Sequence, residues 1–131
     1  MKVQGNDLGV CGVEQLLHAG TVKYNDTGIG DGKAIFTIPH DCVITRVVAV
    51  VETAFAGATS PVLIYGTADD DDAFLAAGDI TEGTAGAYTK QLFSEIEKGD
   101  KIYAKLTGTG TFTAGVAELY VFAVGIPEVN S

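Results

Sequence analysis

The sequence predicts an all-β chain: an antiparallel β-sandwich, jelly-roll-like, with an N-terminal arm. Three observations predict it. Six runs rich in Val, Ile, Thr, Tyr and Phe occupy residues 33–38, 42–55, 61–65, 88–96, 101–106 and 111–124, the composition that packs well on a pleated, half-buried surface. The gaps between them hold Gly, Thr and Asp, residues that form turns. Two runs, 42–55 and 111–124, are long and apolar on both sides at their centres, which with the shorter runs fits a jelly roll or related sandwich better than an open sheet.

Each segment follows in order. Residues 1–19 stand apart from the strand pattern. Val10, Val13, Leu16 and Leu17 mark one weak helical turn interrupted by Gly9 and Gly12. The segment reads either as an arm that lies on a neighbouring subunit or as a short edge piece covering one end of the sandwich. The single sandwich domain is placed at 20–131 and opens with a short strand at 21–24. Residues 25–32 form a loop, because glycines tolerate positive φ and Asn and Asp bond their own backbone. The strand 33–38 stops at Pro39, which has no N–H for a ladder bond.

In 42–55 strict alternation puts Val43, Thr45, Val47, Ala49 and Val51 on one face. Cys42, Ile44, Arg46, Val48 and Val50 fall on the other. Both faces are apolar in the middle, so the second face needs a cover. Arg46, Val48 and Val50, with Val10, Val13, Leu16 and Leu17 of the arm, are the candidate interface residues. The pattern breaks over 68–87, where Ala68-Asp-Asp-Asp-Asp-Ala-Phe-Leu-Ala-Ala-Gly78 suits a turn followed by a short strand or helical turn. In 111–124, Leu119, Val121 and Ala123 share one face and Tyr120, Phe122 and Val124 the other.

Composition narrows the function. At 131 residues the chain fits one domain. Its net charge of −9, with eight scattered basic residues and Arg46 as the single Arg, disfavours a nucleic-acid partner. No apolar run approaches the roughly 18 residues of a membrane span, so no membrane partner is expected. The first residues carry no continuous apolar h-region, and no secretory signal is read there. Cys11 and Cys42 read as free thiols, with a Cys11–Cys42 bridge as the alternative.

Catalytic and metal chemistry find little footing. Asp69-Asp-Asp-Asp72 offers hard oxygen ligands but lacks the alternation, central Gly and distal Glu of a calcium loop. Cys11, His18, His40 and Cys42 have the atoms of a zinc site without its spacing. Gly28-Ile-Gly-Asp-Gly32 lacks the Lys-Ser/Thr ending of a phosphate loop and precedes a strand. No nucleophile elbow is present, and Glu95/Glu97 on one strand face do not define glycosidase geometry. The expectation is a protein that is not an enzyme, with no catalytic residues, no metal and no cofactor.

Three segments together carry a resemblance. They are Ile44-Thr-Arg-Val-Val-Ala-Val-Val-Glu-Thr-Ala-Phe55, then Pro61-Val-Leu-Ile-Tyr-Gly-Thr67 with Asp72-Ala-Phe-Leu-Ala-Ala-Gly-Asp-Ile80, then Gly108-Thr-Gly-Thr-Phe-Thr-Ala-Gly-Val-Ala-Glu-Leu-Tyr-Val121. This order resembles small structural proteins of tailed-bacteriophage virions, over residues 33–124. The resemblance implies a jelly-roll or similar sandwich, assembly as a homotrimer and no catalysis. The expected function is capsid decoration (cement): binding to the major capsid protein at capsomer junctions on the virion exterior, after synthesis in the host cytoplasm. The alternative is a fibre or host-recognition module binding a surface glycan or protein, with Tyr65, Tyr88 and Tyr103 as candidate contacts.

Overall fold

A computed structural model describes residues 14–125. Seven strands make up the described fold: β1 (Glu14–Lys23), β2 (Lys33–Thr37), β3 (Cys42–Ala56), β4 (Thr59–Gly66), β5 (Gly86–Ile96), β6 (Lys101–Thr109) and β7 (Ala114–Gly125). They form two antiparallel sheets, one of four strands ordered β1-β7-β3-β5 and one of three ordered β2-β6-β4. Successive strands alternate between the sheets, so every connection crosses the sandwich. The expected β-sandwich is therefore the observed architecture.

The inner faces supply the core. Val22, Ile44, Val47, Ala49, Val51, Leu119 and Val121 come from the larger sheet; Leu63, Tyr65, Ile102, Ala104 and Leu106 come from the smaller. Ile29, Ile38, Phe74, Leu75 and Ile80, from loops and strand ends, complete it. The broken segment after β4 is thus a core element: Thr67 to Asp70 closes a turn, and Leu75 then makes a single antiparallel bridge with Tyr65. Burying Phe74 and Leu75 is worth about 1.5–3 kcal/mol each, which outweighs the lack of regular pairing there.

Two sequence expectations change. Residues 14–19 are not a helical turn. They form the first part of β1 and pair with β7 from Glu14↔Val124 to His18↔Tyr120. The expected boundary between arm and domain at 19/20 therefore falls inside a strand. At Leu16 and Leu17 the weak helical spacing lost to ladder bonds with a long apolar neighbour. Val10 and Val13 lie outside the described residues, as does Cys11.

The second change is a face swap in β3. Its register shifts between Ile44 and Arg46 against both β5 and β7. Against β7, Thr45 is the extra residue of a β-bulge, whereas against β5 the extra residue lies on β5 between Gln91 and Ser94; the side-chain alternation of β3 reverses at Thr45. Cys42 and Ile44 therefore join Val47, Ala49 and Val51 inside, while Val43 joins Arg46, Val48 and Val50 outside.

One side chain ties the long 76–85 loop to the sandwich. Glu82, only 8% exposed, accepts a hydrogen bond from the buried Leu63 amide at 2.8 Å. Its carbonyl accepts another from the Phe55 amide at 2.9 Å. A buried carboxylate is tolerable because such charge-assisted bonds replace water.

Candidate functional site: the outer face of the four-stranded sheet

A half-exposed antiparallel sheet ordinarily alternates apolar residues inward with polar residues outward. The outer face of the β1-β7-β3-β5 sheet departs from this. Its registers give four rows across the strands: Glu14–Val124–Val43–Glu95, Leu16–Phe122–Arg46–Gln91, His18–Tyr120–Val48–Thr89 and Thr21–Glu118–Val50–Ala87. The two central strands thus present Val43, Val48, Val50, Tyr120, Phe122 and Val124 outward, with the charged Arg46 and Glu118 among them. Leu16 remains 57% exposed beside Phe122. At the other edge, Phe93 is 83% exposed where β5 is irregular against β3.

Of the candidate interface residues, Leu16, Arg46, Val48 and Val50 come together on this face. Leu17 faces inward, pairing with Val121 and packing against the core. Arg46 is held flat: its guanidinium carbon lies 4.0 Å from the centroid of the Phe122 ring. One terminal nitrogen is 3.9 Å from Glu14. Its Nε is buried without a hydrogen-bond partner. The Thr45 hydroxyl donates to Glu14, which fastens the start of β1 across to the bulge in β3.

At the other end of the face, four titratable groups from three strands meet. Glu52 and Glu118 share a hydrogen bond that raises the Glu52 carboxyl above its ordinary range and lowers that of Glu118. The physical cause is that two adjacent carboxyls hold one proton more readily than they hold two charges. Tyr120 donates to Glu118 at 3.1 Å, and that bond raises the phenol. His18 Nε2 lies 2.9 Å from the same carboxylate, with its ring centroid 5.0 Å from that of Tyr120. Sequence reasoning missed this cluster, because its members sit on β1, β3 and β7 and are joined only by register.

The other candidates are dispersed. Tyr65 is fully buried, its hydroxyl without a partner and its ionisation pushed up by desolvation. The Tyr88 hydroxyl donates to the Thr84 carbonyl at 2.7 Å and secures the 76–85 loop. Tyr103 borders an open cleft of about 270 Å³, with Asp31, Asp71 and Lys105. Asp70, Asp71 and Asp72 place carboxylate oxygens within 4.8 Å of one another, all exposed. Lys105 lies 3.5 Å from Asp71 and offsets part of their charge. His40 is exposed and turns to the Asp41 carbonyl, while Cys42 is buried, so the two do not converge on one site.

No protein-family profile and no curated protein sequence matches the chain. Solved structures do. A chain in the "Cyanophage Pam1 capsid asymmetric unit" superposes with a TM-score of 0.68 at 14% identity, covering 96% of this chain and 93% of that one. A chain in the "Acidic stable capsid structure of Helicobacter pylori bacteriophage KHP30" superposes with a TM-score of 0.65 at 13% identity, covering 91% and 92%. The fold of this chain, over nearly its whole length, is thus one found in phage capsid structures.

Proposed function

We propose that the protein is a bacteriophage virion structural protein, and within that class a capsid decoration protein. In this reading it is not an enzyme; it assembles as a homotrimer and docks on the major capsid protein at capsomer junctions on the outside of the head. The observation that carries the reading is the apolar outer face of a sheet whose inner face already fills the core. Such a face is a surface made to be covered. Likeness of fold to chains in two capsid structures supports the choice of setting. The alternation of strands between sheets, with the Tyr65–Leu75 bridge standing where a further strand would pair, supports a jelly-roll reading of the sandwich.

The mechanism is linkage. A ligand that binds only the assembled shell stabilises that shell by the free energy of binding. The acidic surface keeps unbound copies apart and soluble. The deciding experiment incubates the protein with assembled heads and, separately, with host cells. Co-sedimentation with heads, together with raised thermal or osmotic resistance of those heads, is the expected result. Binding to cells and not to heads would overturn it. That outcome would favour a host-recognition module, for which the Tyr103 cleft with Asp31, Asp71 and Lys105 is the surface suited to a polar ligand.

A further inference from the structure

Beside Val50 the outer face carries two carboxyls side by side, an arrangement that water tolerates and a dry contact does not. Glu118 on β7 lies in the Thr21–Glu118–Val50–Ala87 row, and Glu52 stands two residues beyond Val50 on β3. Glu118 has further partners: the Tyr120 hydroxyl donates to it at 3.1 Å, and His18 Nε2 lies 2.9 Å away. Glu52 is exposed, and the side chain it bonds is that second carboxyl. Around the pair, β1 turns His18, Thr21 and Lys23 outward. Lys23 stands one row further along, paired with Val116, and forms no ion pair among the described residues. From β5 come Ala87 and Thr89, which carry no charge. Within the sheet, therefore, no cation is bonded to Glu52.

We infer that covering this face takes up one proton at the Glu52–Glu118 pair, so that docking on the head is tighter in mildly acidic than in neutral solution. This rests on the docking face of the proposed function and names what regulates it. In water, adjacent carboxylates are screened and hydrated. Beneath a partner the water is gone, and an ionised carboxylate beside another costs far more than a protonated one. One proton removes that cost. Protonated Glu52 donates to Glu118, which keeps its contacts with Tyr120 and His18. The cluster is then satisfied from within, and Val48 and Val50 beside it need only apolar contact. The covered pair holds one proton more than the uncovered pair does at neutral pH. Affinity therefore rises as pH falls, and it levels off where the free protein already holds that proton. The shared bond raises the Glu52 carboxyl in the free protein, so the levelling begins above the ordinary glutamate range.

Head co-sedimentation between about pH 5.5 and pH 8 tests it, with the natural chain, Glu52→Gln and His18→Gln on the same heads and circular dichroism on each. The affinity of the natural chain is expected to fall by about tenfold or more over that range, since one linked proton gives at most about tenfold per pH unit. Glu52→Gln supplies a permanent, uncharged donor to Glu118. It is expected to bind at pH 8 about as tightly as at pH 5.5, apart from any slope that the heads themselves impose on every variant. Glu52 is exposed, so the change is expected to leave the fold intact. Glu52→Ala, which removes the carboxyl and adds no donor, flattens the profile as well and keeps the test valid if the amide disturbs the strand. His18→Gln keeps the natural slope. Equal slopes for the natural chain and Glu52→Gln overturn the inference. So does weaker binding by Glu52→Gln at neutral pH, which would mean that the partner brings a cation to the pair. A slope lost in His18→Gln and kept in Glu52→Gln places the proton on the imidazole and overturns it too. Absence of head binding at every pH overturns the decoration reading and this inference with it, whereas tight binding with equal slopes overturns this inference alone.

Discussion

Gly115 shows how one residue can fix the packing of an end of the sandwich. Its φ is +145°, and a Cβ built there would run into the ring of Phe55. Phe55 is 3% exposed and meets Phe112 edge-on, with ring centroids 6.3 Å apart. Gly115→Ala must therefore move a buried aromatic ring and strain the backbone. The expected loss is about 2–4 kcal/mol in urea unfolding, combining overpacking with an unfavourable φ. A loss below about 1 kcal/mol would mean that the ring has room to shift. Asp79 acts through charge instead. Its carboxylate accepts the Ala76 amide at 2.8 Å and lies 3.0 Å from Lys90 Nζ; these bonds, the amide first, lower its ionisation range. A carboxyl lowered in the folded state adds stability above its unfolded pKa, and that stability is lost as pH falls through the folded value. Asp79→Asn keeps an acceptor for Ala76 but loses the charge. The expected result is a loss below about 1 kcal/mol at pH 7, as for other exposed pairs, with a shallower fall in stability between pH 5 and 3. Parallel acid limbs for the two proteins would contradict the assignment.

At the scale of elements, β1 matters most, because it was expected to begin at residue 21 and is described from Glu14. It is an edge strand held by β7 on one side, and it buries Ala19 and Val22. A chain starting at Gly20 loses Leu17, which packs on the core, and every pairing from Glu14 to His18. It also leaves Phe122 and Tyr120 without their row partners Leu16 and His18. The expected outcome is a destabilised domain, by about 2 kcal/mol or more from the lost burial alone. A chain starting at Glu14 keeps every described pairing of β1 and is expected to melt at a higher temperature than the chain starting at Gly20. Equal melting temperatures for the two truncated chains would show that the first half of β1 adds nothing to folding. The bulges follow the same logic. Ala19 and Thr45 each reset the side-chain alternation, and without the second the row from Leu16 through Phe122 to Arg46 and Gln91 would not align.

At the scale of the whole molecule, stability comes from one core between two sheets. The acidic cluster at Asp70–Asp72 is exposed and partly offset by Lys105, and Cys42 is a buried free thiol whose ionisation is raised, first by desolvation and then by Asp41. Neither is placed to hold the sheets together. The melting temperature is therefore expected to move by less than about 2 °C with EDTA or with a thiol reductant. For a domain of this size, a fall of about ten degrees would correspond to about 2 kcal/mol or more and would reveal a structural metal or bridge. Cys42 is likewise expected to react with a maleimide only after unfolding.

The amino-acid sequence by itself determined the strand content, the turns and the excess of apolar surface. These follow from local composition and from a period of two, which are properties of neighbouring residues. From β2 onward the strands fall close to where the pattern places them, and Arg46, Val48 and Val50 do share a face, as alternation requires. Tertiary structure decided the rest. A helical turn or a strand was open to residues 14–19 until β7 offered a ladder. A single extra residue at Thr45 moved Cys42 and Ile44 from one side of the sheet to the other. Glu52, Glu118 and His18 became neighbours only through pairing across three strands. Side chains remote along the chain meet by register, and register is set by bulges and by the whole core at once.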